Sequence, residues 1–283
     1  MKLMMFAKSL QAYPLAKTGQ VVRDMGIPGL DLTVRAGGYV ERQEVRTGLP
    51  AAVATLQEVG VEVPMLTTDI TAADEEGAEE VFAAAAECGV RWLKLGYWYS
   101  EGFGNLERAI YDVKTRLIGL EALARKHGVW AGLHIHSGQG NVTAMGAVVW
   151  EILRGRNPEY VGAYVDPGHM TAEGARSGWQ QCLDLLAPWI KLVAVKDIQF
   201  VHSPTGDNPK NYDLKLVPLA EGMVQWPEVF KLLHGAGFDG GITIHSEYIG
   251  SHSFRDMNAD EVVEQTRQDL AYLRPILAQY WPL

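Results

Sequence analysis

The stretch Gly128-Val-Trp-Ala-Gly-Leu-His134-Ile-His136-Ser-Gly138 is an apolar run that ends in two histidines. Alternate side chains of a strand share a face, so if His134 points inward, His136 does too. Two imidazoles aimed at one place can ligate a metal, move a proton or hold a substrate oxygen. Other reactive residues also follow apolar runs: Asp166 and His169, Lys196 and Asp197, His245 and Glu247. Lys8 and Arg35 close the first two runs. Lys94 interrupts a third, where burial without a partner would be costly, so it is either half of a buried pair or a substrate anchor. Together these three cations make one end of the molecule locally positive, which favours an anionic substrate.

The elements that must position these residues alternate along the chain. Apolar runs at residues 3–7, 29–35, 61–68, 90–96, 129–134, 160–166, 190–196 and 241–244 read as strands. Helical patterns fall between and after them, at 15–25, 51–59 with Pro50 in the first turn, 78–88 behind an acidic turn opened by Asp74, 106–127, 141–153, 179–186, 227–236 and 260–278. The segment Ile198 to Met223 shows no periodicity and reads as a long loop. Eight strand-then-helix units with strands apolar on both faces predict an α/β fold, a (β/α)8 TIM barrel in a single domain over residues 1–283. No Gly-x-Gly-x-x-Gly opens a helix, which leaves a dinucleotide-binding sheet without support. Barrel enzymes place their sites at the C-terminal ends of the strands, where the reactive residues cluster here.

Composition fits a globular chain, with 47% hydrophobic and 21% charged residues. A formal net charge of −9 disfavours nucleic acid or an acidic membrane as partner. Cys88 and Cys182 lie far apart in amphipathic segments and read as small buried hydrophobes in a reducing compartment. Lys8 interrupts the N-terminal apolar patch well short of a signal peptide, and no run approaches the ~18 apolar residues of a membrane span. The expectation is a cytoplasmic protein.

Three segments carry a family resemblance: Val165-Asp166-Pro-Gly-His169, Ala194-Val-Lys196-Asp197, and Gly237-Phe-Asp-Gly-Gly241-Ile-Thr-Ile-His245. With them the chain resembles, over nearly its whole length, the xylose-isomerase-like barrels of the sugar-phosphate isomerase and epimerase superfamily. Gly29 to Gly38 and the Pro218-Leu-Ala-Glu221-Gly222 turn resemble a less characterised branch. The resemblance implies one divalent metal held by carboxylate, carboxylate, histidine and carboxylate from strands five to eight. At those places this chain has His134, Asp166, Ala194 and His245, so only Asp166 matches in kind. His134, Asp166 and His245 would still form a two-histidine, one-carboxylate set suited to Zn, Mn, Fe or Co. The alternative is a decayed site whose histidines are hydrogen-bonded pocket residues.

The expected chemistry is isomerisation or epimerisation of a small carbohydrate-like substrate through a metal-stabilised enediolate. Glu247 or Lys196 would move the proton on the α-carbon, and His169 matches a position that contacts substrate in relatives. Lys8, Arg35, Lys94, His136, Asp197 and Trp98 are the candidate substrate-binding residues. A lyase or dehydratase acting through the same enolate, and a sugar-binding barrel without turnover, remain open alternatives. Relatives of this kind associate as dimers or tetramers, so a homo-oligomer is also open.

Overall fold

Strands covered on both faces must be apolar on both, and every residue of the second strand, Gly29–Val34, is buried. In the computed structural model, which describes residues 1–282, eight such strands close into a parallel barrel. They are β1 (Lys2–Phe6), β2 (Gly29–Val34), β3 (Glu62–Thr68), β4 (Trp92–Lys94), β5 (Trp130–His134), β6 (Val161–Val165), β7 (Ile190–Val195) and β10 (Gly241–Ile244). β10 pairs with both β7 and β1, which closes the ring. Helices α1 (Leu15–Asp24), α2 (Val45–Glu58), α3 (Ala78–Glu87), α4 (Leu106–His127), α5 (Gly146–Leu153), α6 (Pro167–Gly174), α7 (Gly178–Leu186), α8 (Trp226–Gly235) and α9 (Ala259–Leu277) supply the rest of the regular structure. The single-domain barrel read from the sequence is the observed fold. Among the described residues no helix is long and apolar enough to cross a membrane.

Two apolar layers hold the site. The larger packs the outward faces of the strands against the helices. The smaller fills the barrel and consists of Met4, Met65, Trp92, Trp130, Tyr164, Leu192 and Ala194. Gly132 makes room for this plug, because a Cβ there would lie 2.5 Å from the Trp130 ring. Two residues above the plug on the same parity stand Phe6, Thr67, Lys94, Asp166 and Lys196, and four above Trp130 stands His134. The reactive layer is thus the next storey of the interior, at the C-terminal ends of the strands.

Several local expectations are corrected. Pro50 lies inside α2, which begins at Val45 because Val45 and Leu49 supply buried positions ahead of it; the proline itself is exposed. α3 begins only after Gly77, whose φ of 75° breaks the acidic turn from the helix. The unpredicted α6 starts immediately after β6, with Asp166 as its N-cap accepting from the backbone N–H of His169 and Pro167 in the first turn. The 198–223 segment is not a loop throughout. It contains an antiparallel ribbon, β8 (Asp197–His202) paired with β9 (Tyr212–Val217). Both cysteines are free, but each is only half-buried and not the fully buried hydrophobe expected.

Candidate active site

Four strand ends bring the reactive layer together. His134 ends β5, Asp166 follows β6, Lys196 follows β7, and His245 and Glu247 follow β10. At the centre the Lys196 ammonium lies 3.2 Å from Oδ2 of Asp166 and 3.1 Å from Oε2 of Glu247. The other oxygen of Glu247 accepts from Lys8 at 2.9 Å. His134 holds Asp166 Oδ2 at 3.2 Å through Nε2, and its Nδ1 meets the Tyr97 hydroxyl at 2.9 Å. His245 meets the Tyr164 hydroxyl at 2.6 Å through Nε2 and stacks on Phe6. Its Nδ1 faces Glu247 at 3.4 Å without hydrogen-bond geometry.

A second cluster flanks the first. The His136 and His169 rings lie with centroids 3.8 Å apart. His136 Nδ1 bonds the Ser137 carbonyl at 2.7 Å, which makes that nitrogen the donor and leaves Nε2 as a lone pair. His169 Nδ1 meets the Ser137 hydroxyl at 2.5 Å, while its buried Nε2 has no hydrogen-bond partner.

The charges follow from burial and from Lys196. Burial opposes the charge on Lys196, but Asp166 and Glu247 outweigh it and raise the lysine. Burial alone would raise both carboxyls, yet the Lys196 ammonium holds Asp166 below the usual carboxylate range and Glu247 well below it. Burial, then Lys196, pushes His136 down to about 4 and holds His134 and His169 well below the usual imidazole value. At neutral pH the site therefore contains ionised carboxylates, a protonated Lys196 and neutral imidazoles. On the opposite wall the Asp31 carboxyl group accepts from the Thr67 hydroxyl at 2.8 Å, and burial raises it to about 8. Burial and Arg35 lower Lys94 to about 7, and its ammonium rests 3.6 Å from the centroid of the Tyr97 ring.

The predicted residues mostly converge. Lys8, Arg35, Lys94, His134, His136, Lys196, His245 and Glu247 line a cavity of about 100 Å³. It adjoins one of about 300 Å³ that adds His169, Ser137 and, from the ribbon, Leu214 and Leu216. A larger cavity of about 500 Å³ lies under the plug at the other end of the barrel, away from this chemistry. Two expectations are corrected. Asp197 turns away from Lys196 and binds the backbone N–H groups of Ile198 and Val224 and the indole of Trp226, so it holds the fold. Trp98 is buried outside the cavity with its indole on the Thr71 carbonyl, and Tyr97 takes the place at the mouth. Sequence reasoning also missed Tyr97, Tyr164, Thr67 and Ser137 as site residues.

The expected metal set does not assemble. Among the described residues no three His, Cys, Asp or Glu side chains stand so as to hold a metal ion. Both nitrogens of His134 are engaged, Nε2 of His245 is taken by Tyr164, and the space between the two carboxylates is filled by the Lys196 ammonium. A resident cation already balances the charge a metal would balance.

The family model for xylose isomerase-like TIM barrels matches residues 20–276. The chain belongs to that family. Among solved structures, this xylose isomerase-like barrel is similar to the IOLI protein solved with a bound zinc atom (TM-score 0.72, 15% identity, all of both chains covered). It is also similar to D-psicose 3-epimerase solved with D-fructose (TM-score 0.71, 13% identity, 98% of this chain and 99% of that one). A third likeness is to the 3-keto-D-glucoside 4-epimerase of E. coli (TM-score 0.69, 14% identity, 97% of this chain and 99% of that one). At these identities the likeness is one of fold. No curated protein sequence matches the chain.

Proposed function

We propose that this barrel is an isomerase that moves a proton at the carbon beside the carbonyl of a small, anionic, carbohydrate-like substrate. The observation that carries the reading is the Lys196 ammonium buried between Asp166 and Glu247, with neutral imidazoles on the same cavity. An ammonium has three N–H donors; two meet carboxylates, and the third is free for a substrate oxygen. There it stabilises the negative charge that develops when the α-proton leaves, in a site where burial strengthens electrostatics. Lys8 and Arg35 supply the charge that would bind an anionic group.

His136 and His169 are the bases this arrangement favours. Both are neutral at pH 7, and His136 Nε2 keeps a lone pair. Glu247 holds Lys196 and Lys8, and a carboxylate so clamped is a weak base. The two imidazoles stand on one side of the cavity, which favours transfer of the proton between adjacent carbons on one face over epimerisation by opposed bases. The same carbanion expels a β-hydroxyl, so the one-sided arrangement equally supports a lyase or dehydratase as the second reading. Ketoses, aldoses and sugar acids incubated with the protein in D2O should take up deuterium at the α-carbon, visible by proton NMR and lost in Lys196→Met. A panel without exchange or turnover overturns the reading.

A further inference from the structure

Three lysines line the cavity, and they are not alike. Lys8 and Lys196 each touch a carboxylate. Lys94 is only 2% exposed, and its side-chain nitrogen makes no hydrogen bond or ion pair among the described residues; it rests on the Tyr97 ring and opens to the cavity. A buried ammonium without a counter-ion is costly, and such a site favours the neutral amine. Thr67 beside it on β3 is already used by Asp31, which leaves that carboxyl bound to a hydroxyl and not to the lysine.

We infer that Lys94 is a nucleophile that captures carbonyl compounds as an imine. This rests on the reading of the cavity as one that admits a small carbonyl substrate. The nitrogen lone pair of Lys94 adds to the carbonyl carbon, and the π pair moves to oxygen. The proton on nitrogen passes to that oxygen, giving a carbinolamine. A second proton, from solvent, releases the hydroxyl as water and leaves an iminium carbon. Loss of the α-proton to an imidazole then gives a neutral enamine, so the electron pair is stored on nitrogen, and hydrolysis returns the amine. Lys196, held protonated by Asp166 and Glu247, has no lone pair to offer, and Lys8 is ion-paired with Glu247. Burial and Arg35 lower Lys94 towards neutrality, with Asp31, Asp69 and Glu247 acting in the opposite sense. Tyr97 and His134, the other titratable groups at this wall, are neutral at pH 7.

The test is reductive trapping. The protein is incubated with dihydroxyacetone, D-fructose or pyruvate and sodium cyanoborohydride, then digested and mapped by mass spectrometry. The expected result is one adduct per chain, on Lys94, with a labelling rate that reaches half its maximum near pH 7 and not near 10. Lys94→Arg keeps a charge but should abolish the adduct. Label on other lysines only, or α-deuterium exchange by the native protein without label on Lys94, overturns the inference while leaving the isomerase reading standing. Label on Lys94 without any exchange supports the inference and counts against that reading. Absence of both overturns the two together.

Discussion

Lys196 stands 3.2 Å from Asp166, and the same ammonium reaches Glu247 at 3.1 Å. One side chain thereby occupies the point towards which two carboxylates from different strands are turned, with His134 and His245 beside them.

If Lys196 takes the place of a bound cation, Lys196→Met should make the protein bind one. Removing one partner of a buried ion pair costs about 3–5 kcal/mol, so the variant should unfold at a lower temperature. Added Mn2+ or Zn2+ should restore part of that loss in the variant and shift the native protein little. Thermal unfolding with and without metal reads both effects. A variant that gains no cation affinity would sink the idea of substitution.

Asp31 predicts a pH effect of defined sign. Its folded value is raised to about 8 against an ordinary aspartate value near 3.9. The native state keeps a proton that the unfolded chain has lost, so this group stabilises fully below about pH 4, progressively less as pH rises, and not at all above about 8. The slope is about 1.4 kcal/mol per pH unit across that window. Lys94, lowered to about 7, acts oppositely but mainly between about 7 and 10.4. Asp31→Asn should therefore flatten the decline in urea-unfolding stability between pH 5 and 7, measured against the native protein.

Asp197 should behave as a residue of the scaffold. It accepts from the Ile198 and Val224 amides at 2.8 and 3.0 Å and from the Trp226 indole at 2.8 Å. Each buried donor left unpaired costs about 1–3 kcal/mol, so Asp197→Ala should lose roughly 3 kcal/mol or more of stability. Folded variant at low temperature should keep the native KM. A raised KM with an unchanged unfolding temperature would return Asp197 to the substrate site.

The barrel was legible because eight apolar runs alternate with helical patterns, and the site because His134, Asp166, Lys196 and His245 each close such a run. Parity carried His136 and Glu247 correctly into the cavity. Trp98, a candidate substrate-binding residue, lies outside the cavity because β4 ends at Lys94 and the chain turns as the Gly96 amide bonds the Ile70 carbonyl, so Tyr97 and not Trp98 faces inward. Parity separated Asp197 from Lys196 only after the fact, since neighbours at a strand end point opposite ways. That an ammonium would sit between two carboxylates depends on the relative heights of β6, β7 and β10, which no single run of residues encodes. The β8–β9 ribbon was hidden for the same reason: its alternation becomes meaningful only when Ile198 and Leu216 are known to pair.

Leu214 and Leu216 bring that ribbon to the rim of the cavity, and Leu216 is fastened from behind by backbone bonds to His252 and Phe254. Side chains along β9 alternate, so a slip of one residue would present Asp213 and Lys215 to the incoming molecule in place of two leucines. The aperture is therefore gauged by strand register, like a vernier, and not by the span from Ser203 to Asn211 that joins the two strands. Lengthening or replacing that tip would leave the gauge unchanged, whereas one residue inserted between Tyr212 and Leu216 would reset which molecules the barrel admits.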